Sequence, residues 1–392
     1  MIARTTTTGT MKTYRYNLQR SGYYMNKAMN TVQTGRLFNS FADDPTAAAL
    51  SFQKRTALLR NSGHIDLNTS IQYKFQQAWK ALDQVEGQID TISENSTFKA
   101  LMLGGANDAD ASARNALGQS MKAVAENLVQ AMNGRYGENF IFSGADGLNV
   151  PFSWGPKANP DYDPAYVPDP DNPVPEDINQ FQFLKDDGTG TNSEKEASRV
   201  LSYRGVPVDT TDAAELEKLR YFSEDEVKNA DIGLGFDINS GRVETTSVFN
   251  QALQGVDFLG GYGVDQDGDP KNIISIIDRM GTILKNCNAE DGEFASDAEK
   301  DEYYRLAKKF EGASATVKDQ YVELDTRSSF LTANASILES TKYNLTEQIS
   351  GLEDADEALA ISDFIFAKYT YDTALKVGNS VLSQSLMDYM NL

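Results

Sequence analysis

The stretch FEGASATVKDQYVELDTRSSFLTANASILESTKYNLTEQISGLEDADEALAISDFIF, residues 310–366, decides the fold. Its apolar residues return every seven positions, at Phe310, Val317, Leu324, Leu331, Leu338, Leu345, Leu352, Leu359 and Phe366. Two helical turns bring a side chain back to nearly the same face, so a repeat this long keeps one apolar seam pointed at a partner helix. The alternating positions, Ser314, Tyr321, Ser328, Ala335, Lys342 and Ile349, are mostly small or amphipathic. They permit close approach but make a weaker zipper than leucine at both positions, so several helices must stabilise one another. A helix over residues 297–350 would run on the order of 80 Å at ~1.5 Å per residue, and the spacing predicts a rod.

Working outward, the amino-terminal end carries heptads of its own. Met11, Leu18, Met25 and Val32 lie seven apart, with Tyr14, Ser21, Ala28 and Gly35 three residues after each. That seam is narrow, and a lone helix of this kind is marginal in water, so both terminal helices are expected to order on assembly. In the loop TGRLFNSFADDPTAAAL, an acid before Pro45 marks a helix start near Thr46, because proline loses no hydrogen bond in the first turn and aspartate caps the free amides. Ile71, Phe75, Ala78, Leu82, Val85, Ile89 and Ile92 then alternate by four and three, a second rod-like helix. Leu117, Met121, Val124 and Leu128 mark a third, and Ile273, Ile277, Met280 and Leu284 another whose face Cys287 continues. Asp354 with Glu357 reads as a capping box opening a separate last helix after Gly351.

Between residues 134 and 270 the helical period stops. Short apolar stretches (FIFSG, FQFL, VLSY, IGLGF) separated by Gly, Pro and Asp read as strands and turns, and residues 159–177 as an exposed Pro/Asp loop. The expected fold is therefore mainly α with a β-rich insertion: a long antiparallel helical-bundle rod, coiled-coil-like at its termini, carrying an outer β domain. The expected domains are 1–42 plus 354–392 (terminal helical coiled coil), 43–133 plus 271–353 (helical rod) and 134–270 (β-rich outer insertion).

Composition narrows the function. The 392 residues carry a net charge of -21, which argues against nucleic acid as a partner, since phosphate binding needs a basic surface. The charge is uneven. Residues 1–63 hold nine Lys/Arg against Asp43 and Asp44, whereas 324–392 hold four basic and ten acidic residues, so the two ends are electrostatically complementary. Nothing reads as a membrane span, and MIARTTTTGTMKTYRY lacks the apolar core of a secretory signal. His64 is the single histidine, so every triad, Cys–His pair or HExxH motif depends on it or is impossible; its place in the series Leu50, Ala57, Ile71 reads as structural. Asp265, Asp267 and Asp269 have calcium-like spacing, yet Pro270 stands where such a loop needs glycine and Ile276 where it needs glutamate, which reads as a polar turn with at most weak calcium binding. No cofactor and no catalytic residue are expected.

Two segments resemble a known family. TGRLFNSFADDPTAAALSF, through Gly35, Arg36, Asn39, Asp43, Asp44 and Pro45, resembles the amino-terminal signature of bacterial flagellins and hook-associated proteins. YTYDTALKVGNSVLSQSLMDYMNL resembles the matching carboxy-terminal signature through Tyr371, Ala374, Leu375, Ser385, Leu386 and Leu392. Within that family NGRYGENFIFSGADGLNVPF, residues 133–152, and IGLGFDINSGRVETTSVFNQALQGVDFLGGYG look like the entry to and exit from the outer domain of hook-filament junction members (hook-associated protein three). The resemblance implies a non-enzymatic structural subunit of the flagellum, exported without a cleaved signal peptide and extracellular. Its implied partners are copies of itself, another hook-associated protein, flagellin, the export apparatus and an export chaperone. The implied assembly residues are Met11, Leu18, Met25, Val32, Leu359, Phe366, Leu375, Leu382, Leu386 and Tyr389. A flagellin-like filament subunit, and a fibre whose acidic insertion binds or hydrolyses something, are the alternatives.

Overall fold

The computed structural model describes residues 7–102, 111–156, 199–287 and 293–390, leaving aside the side chains of residues 7, 8, 10, 156 and 380–390. The loop 159–177, the FQFL segment and the side chains of Leu382, Ser385, Leu386, Tyr389 and Leu392 lie outside the described residues. Helices α1 (Thr7–Thr34), α2 (Pro45–Ser93), α3 (Ser96–Met102) and α4 (Ala111–Met132) come first. The insertion follows with β1 (Arg135–Tyr136), β2 (Asn139–Phe140), β3 (Phe152–Pro156), β4 (Arg199–Tyr203), β5 (Val206–Pro207), α5 (Ala213–Arg220), β6 (Asn229–Ala230), β7 (Ile238–Asn239), β8 (Arg242–Val243), β9 (Phe249–Asn250) and α6 (Gly255–Phe258). Helices α7 (Ile273–Lys285), α8 (Asp297–Glu353) and α9 (Glu357–Met390) end the chain. This is a mainly α protein with a β-rich insertion. It forms two compact units, residues 1–64 with 337–392, and residues 65–336.

The larger unit holds the main core. The predicted α2 face from Ile71 to Ile92 is buried, as are Leu117, Met121, Val124 and Leu128 of α4 and Phe310, Val317, Leu324 and Leu331 of α8. Each such aliphatic or aromatic side chain contributes ~1.5–3 kcal/mol on leaving water. Helix α7 lies innermost, with 11 of its 13 residues buried, and Asn272 caps it by accepting from the Ile274 amide at 3.0 Å. It meets α4 at a reciprocal glycine contact: a Cβ on Gly118 would stand 2.9 Å from Gly281 O, and one on Gly281 3.0 Å from Gly118 O. Only glycine at both positions lets the two backbones come this close.

Asn68 of α2, fully buried, binds α8 instead. Its Nδ2 donates to Leu331 O at 3.0 Å, and its Oδ1 accepts from Asn334 Nδ2 at 3.1 Å. The same Asn334 nitrogen donates to Ile232 O at 3.0 Å, so three separate segments meet there.

Every described strand pair of the insertion is antiparallel and short. VLSY forms β4, which pairs with β3 from Phe152↔Tyr203 to Pro156↔Arg199. Two expected strands do not form as such. In FIFSG only Phe140 belongs to a strand, and IGLGF is a bend, because Gly233 and Gly235 take φ of 87° and 89°. Ile232 is buried there as a plug instead of pairing.

Candidate assembly surface

The signature residues build the connection between α1 and α2. Gly35, at φ 66°, ends α1 in the left-handed conformation, its amide donating to Thr31 O at 2.8 Å. Asp43 Oδ2 accepts from the Ser40 hydroxyl at 2.9 Å and from the Asn39 and Ser40 amides at 3.2 and 2.9 Å. Those bonds, Ser40's foremost, hold its carboxyl below the usual range. Asp44 Oδ1 caps α2 through the Thr46 and Ala47 amides at 3.1 and 3.0 Å, with Pro45 as the first helical residue.

This loop is fastened to the link between α8 and α9. The Leu37 amide donates to Glu353 O at 2.7 Å, and the Ala355 amide to Gly35 O at 2.8 Å. Between these backbone bonds sits the buried Glu353 carboxylate. It accepts from Arg55 Nε at 2.7 Å and Nη2 at 2.5 Å, and from the Ser51 hydroxyl, with Arg36 Nη1 3.8 Å away. The Arg55 bonds hold the carboxyl down at about 2 against the opposing effect of burial, with Ser51 and Arg36 assisting. The last helix is capped by Asp356, which accepts from the Leu359 amide at 3.0 Å. Asp354, the cap expected from sequence, instead accepts from Ser350 Oγ at 2.5 Å.

Beyond this clamp α1 and α9 pair with each other. Met11, Tyr14, Leu18, Ser21, Met25 and Ala28 are half-buried on α1, as are Phe364, Ala367, Tyr371 and Ala374 on α9 between the buried Ala360 and Gly378. Small residues set the spacing. A Cβ on Gly22 would lie 3.2 Å from Tyr371 Cε2, and one on Gly378 would collide with the Tyr14 hydroxyl, which donates to Ala374 O at 3.1 Å. The α9 seam is thus Ala360, Ala367 and Ala374, continuing at the same seven-residue spacing from Glu353 at the end of α8, one residue out of step with the predicted repeat.

That step reverses the role of the last predicted seam residues. Leu359 and Phe366 are 65% and 74% exposed, and Leu375 and Val32 also face outward. They join Tyr16, Tyr23, Tyr24, Ile361, Ile365, Tyr369 and Val377, all exposed on the same two helices. A groove of about 610 Å³ opens between the helices, floored by Ser21, Ala28, Ala360 and Ala367 and rimmed by Tyr24 and Phe366. Met11, Leu18 and Met25 stay half-buried within the pair. Sequence reading missed Ser51, Arg55 and Glu353. The signal was an acid seven residues before Ala360 in a row of alanines, a position that requires a cation beside it.

The remaining candidates lie elsewhere. Asp265, Asp267 and Asp269 bring carboxylate oxygens within 4.8 Å of one another, but a cation of the chain's own stands among them. Lys309 Nζ is 2.5, 3.0 and 2.5 Å from the three, and Arg305 Nε is 3.2 Å from Asp269. A metal ion would have to displace that ammonium. Burial works against charge on Asp265 and Asp269, yet the bonds from Lys309, and from Arg305 to Asp269, keep both carboxyls below the usual range. Cys287 is half-buried, donates to Ile283 O at 3.6 Å and has its thiol pushed up by burial, as suits a small core residue. His64 is also half-buried, although Leu50 of its supposed series is exposed. Among the described residues no helix is long and apolar enough to cross a membrane.

No family model matches this chain, and no curated protein does. Among solved structures it is similar to a flagellar hook-associated protein from Vibrio parahaemolyticus, at 12% identity over 80% of this chain and 100% of that one, TM-score 0.48. It is also similar to FlgL of Xanthomonas campestris, at 13% identity over 76% of this chain and 99% of that one, TM-score 0.38. With both scores below 0.5, the functional argument rests on the chain's own residues.

Proposed function

We propose that this chain is a structural, non-enzymatic subunit of the bacterial flagellum that joins hook to filament by self-assembly of its terminal helices. One observation carries the reading: two paired helices leave eleven large apolar or aromatic side chains facing outward, from Tyr16 to Val377. Single exposed apolar residues are ordinary, whereas eleven on one helix pair, with Tyr24 and Phe366 meeting at one groove, favour surfaces that another protein covers. The two flagellar signatures support it from the sequence side, since Gly35, Arg36 and Asp43 to Pro45 are the residues that build the connection holding this helix pair. The finer division into terminal helices (1–42 plus 354–392), rod (43–133 plus 271–353) and outer insertion (134–270) belongs to the same proposal. So do export without a cleaved signal, an extracellular location, and partnership with copies of itself, flagellin, a second hook-associated protein and an export chaperone.

The test is a strain whose only copy lacks residues 381–392. The truncated chain is exported but not retained, so hooks are bare and flagellin is shed into the medium. Normal filaments on those hooks overturn the junction role, and hooks capped by junction proteins but lacking filaments point to a filament subunit.

A further inference from the structure

In the larger unit, cations converge on one short run of backbone. Lys74 Nζ donates to Gln251 O at 2.9 Å, and Arg327 Nη2 donates to Asn250 O at 2.6 Å and Ala252 O at 3.3 Å. The guanidinium lies 5.0 and 5.8 Å from the ring centres of Phe75 and Phe249, which are themselves 5.6 Å apart. Lys228 stands near enough to repel the Lys74 ammonium, while its backbone amide donates to the Asn250 side chain at 3.1 Å. No described carboxylate forms an ion pair with any of the three, and Glu323 acts on Arg327 only at longer range. Burial first, then repulsion from Lys228 and Arg327, pulls the Lys74 ammonium down to about 8. A carbonyl needs one neutral donor, whereas charged groups taken from water call for a counter-charge.

Lys74 and Lys228 share the lining of a pocket of about 140 Å³ with Ser70, Tyr136, Asn139 and Gln251. No Asp or Glu lines it, in a chain where 57 acids outnumber 36 bases. The volume equals roughly four to five water molecules at ~30 Å³ each. Its donors come from three elements: Ser70 and Lys74 on α2, Tyr136 on β1, and Lys228 just before β6. Converging from several directions, they suit a tetrahedral group better than a planar one.

We infer that this pocket binds a small tetrahedral oxyanion of the phosphate or sulfate class, held between the Lys74 and Lys228 ammonium groups with the Ser70 and Tyr136 hydroxyls as neutral donors. The bound anion supplies the missing counter-charge and ties α2 to the insertion. The inference is independent of the assembly role.

The experiment is a thermal melt of the full chain in sodium phosphate, sulfate, acetate or chloride at matched ionic strength, repeated with Lys74→Met and Lys228→Met. Phosphate and sulfate raise the melting temperature of the parent chain saturably, by roughly 2–5 °C at concentrations far above Kd, and each substitution removes the rise. Equal rises in the variants, or none in the parent, overturn the site. A saturable rise with acetate alone overturns the tetrahedral class and points to a carboxylate side chain of another protein. If the variants do not fold, calorimetry of phosphate binding to the parent chain near pH 8, in buffers of different ionisation enthalpy, decides. Net proton uptake by the protein supports the site, because the anion favours protonated Lys74; binding without uptake overturns it.

Discussion

The Arg55 guanidinium grips Glu353 with two hydrogen bonds, Nε to Oε1 at 2.7 Å and Nη2 to Oε2 at 2.5 Å, across 298 residues of sequence. The carboxylate is buried while the arginine stays half-exposed. Arg55→Met therefore leaves a desolvated charge short of its main partner, at a cost of about 1–3 kcal/mol. The expected result is a lower urea midpoint for the smaller unit and faster proteolysis around residues 35–45 and 350–357. Unchanged cleavage would show that the backbone bonds alone hold the connection.

The same pair sets an acid limit. Glu353 has a folded value of about 2 against an ordinary 4.5, so the folded state binds fewer protons than the unfolded one between those values. Its contribution is complete above about pH 4.5 and is lost as pH falls towards 2. Glu353→Gln should lower stability at pH 7 and flatten the pH dependence within that window. A parallel downward shift at every pH refutes the assignment.

Two leucines of one heptad series should behave oppositely. Leu331 is fully buried and Leu359 is 65% exposed. Leu331→Ala should cost about 2–5 kcal/mol; Leu359→Ala should change monomer stability by less than ~0.5 kcal/mol yet impair polymerisation. Denaturation paired with a sedimentation assay of assembly separates them, and equal destabilisation by both would contradict the observed register.

Gly378 should tolerate nothing larger, because a Cβ there collides with the Tyr14 hydroxyl. Gly378→Val should loosen the α1–α9 pair by about 1–3 kcal/mol, and Tyr14→Ala should recover part of the loss in a double-mutant cycle. Additive effects would mean that the two residues do not meet.

Lys309→Met should turn the Asp265, Asp267, Asp269 turn into a calcium site. Removing the ammonium leaves Asp265 and Asp267 uncompensated and Asp269 with Arg305 alone, so the variant loses stability and regains part of it with millimolar calcium. The parent chain should melt at one temperature with or without calcium. A calcium response in the parent chain would mean that the ion displaces Lys309.

The helical half of the fold was legible because each buried face repeats with a fixed apolar spacing, as from Ile71 to Ile92 and from Phe310 to Leu331. Past Leu352 the apolar repeat continued through Leu359 and Phe366, but the helix breaks near Asp354–Asp356 and packing resumes one residue later on alanines, which an apolar count does not register. The insertion was legible only as short strands and turns: Gly233 and Gly235 bend a segment whose composition reads as strand. Arg55 and Lys309 were illegible because a counter-ion hundreds or tens of residues away leaves no local pattern. Asn68 left no sequence signal, because a buried asparagine whose partners lie more than 260 residues away sits in no local pattern.

The triple junction at Asn68 also bears on time. Its two amide atoms stay unmatched until Leu331 and Asn334 arrive, and Asn334 then also donates to Ile232 O, which has emerged before it. A chain that emerges amino terminus first therefore carries α2 with an unanswered polar group until more than 260 further residues have followed. Contacts of such long sequence separation form late. The seam of the larger unit can close only when nearly all of the polypeptide is present, which keeps a partly emerged chain from folding early.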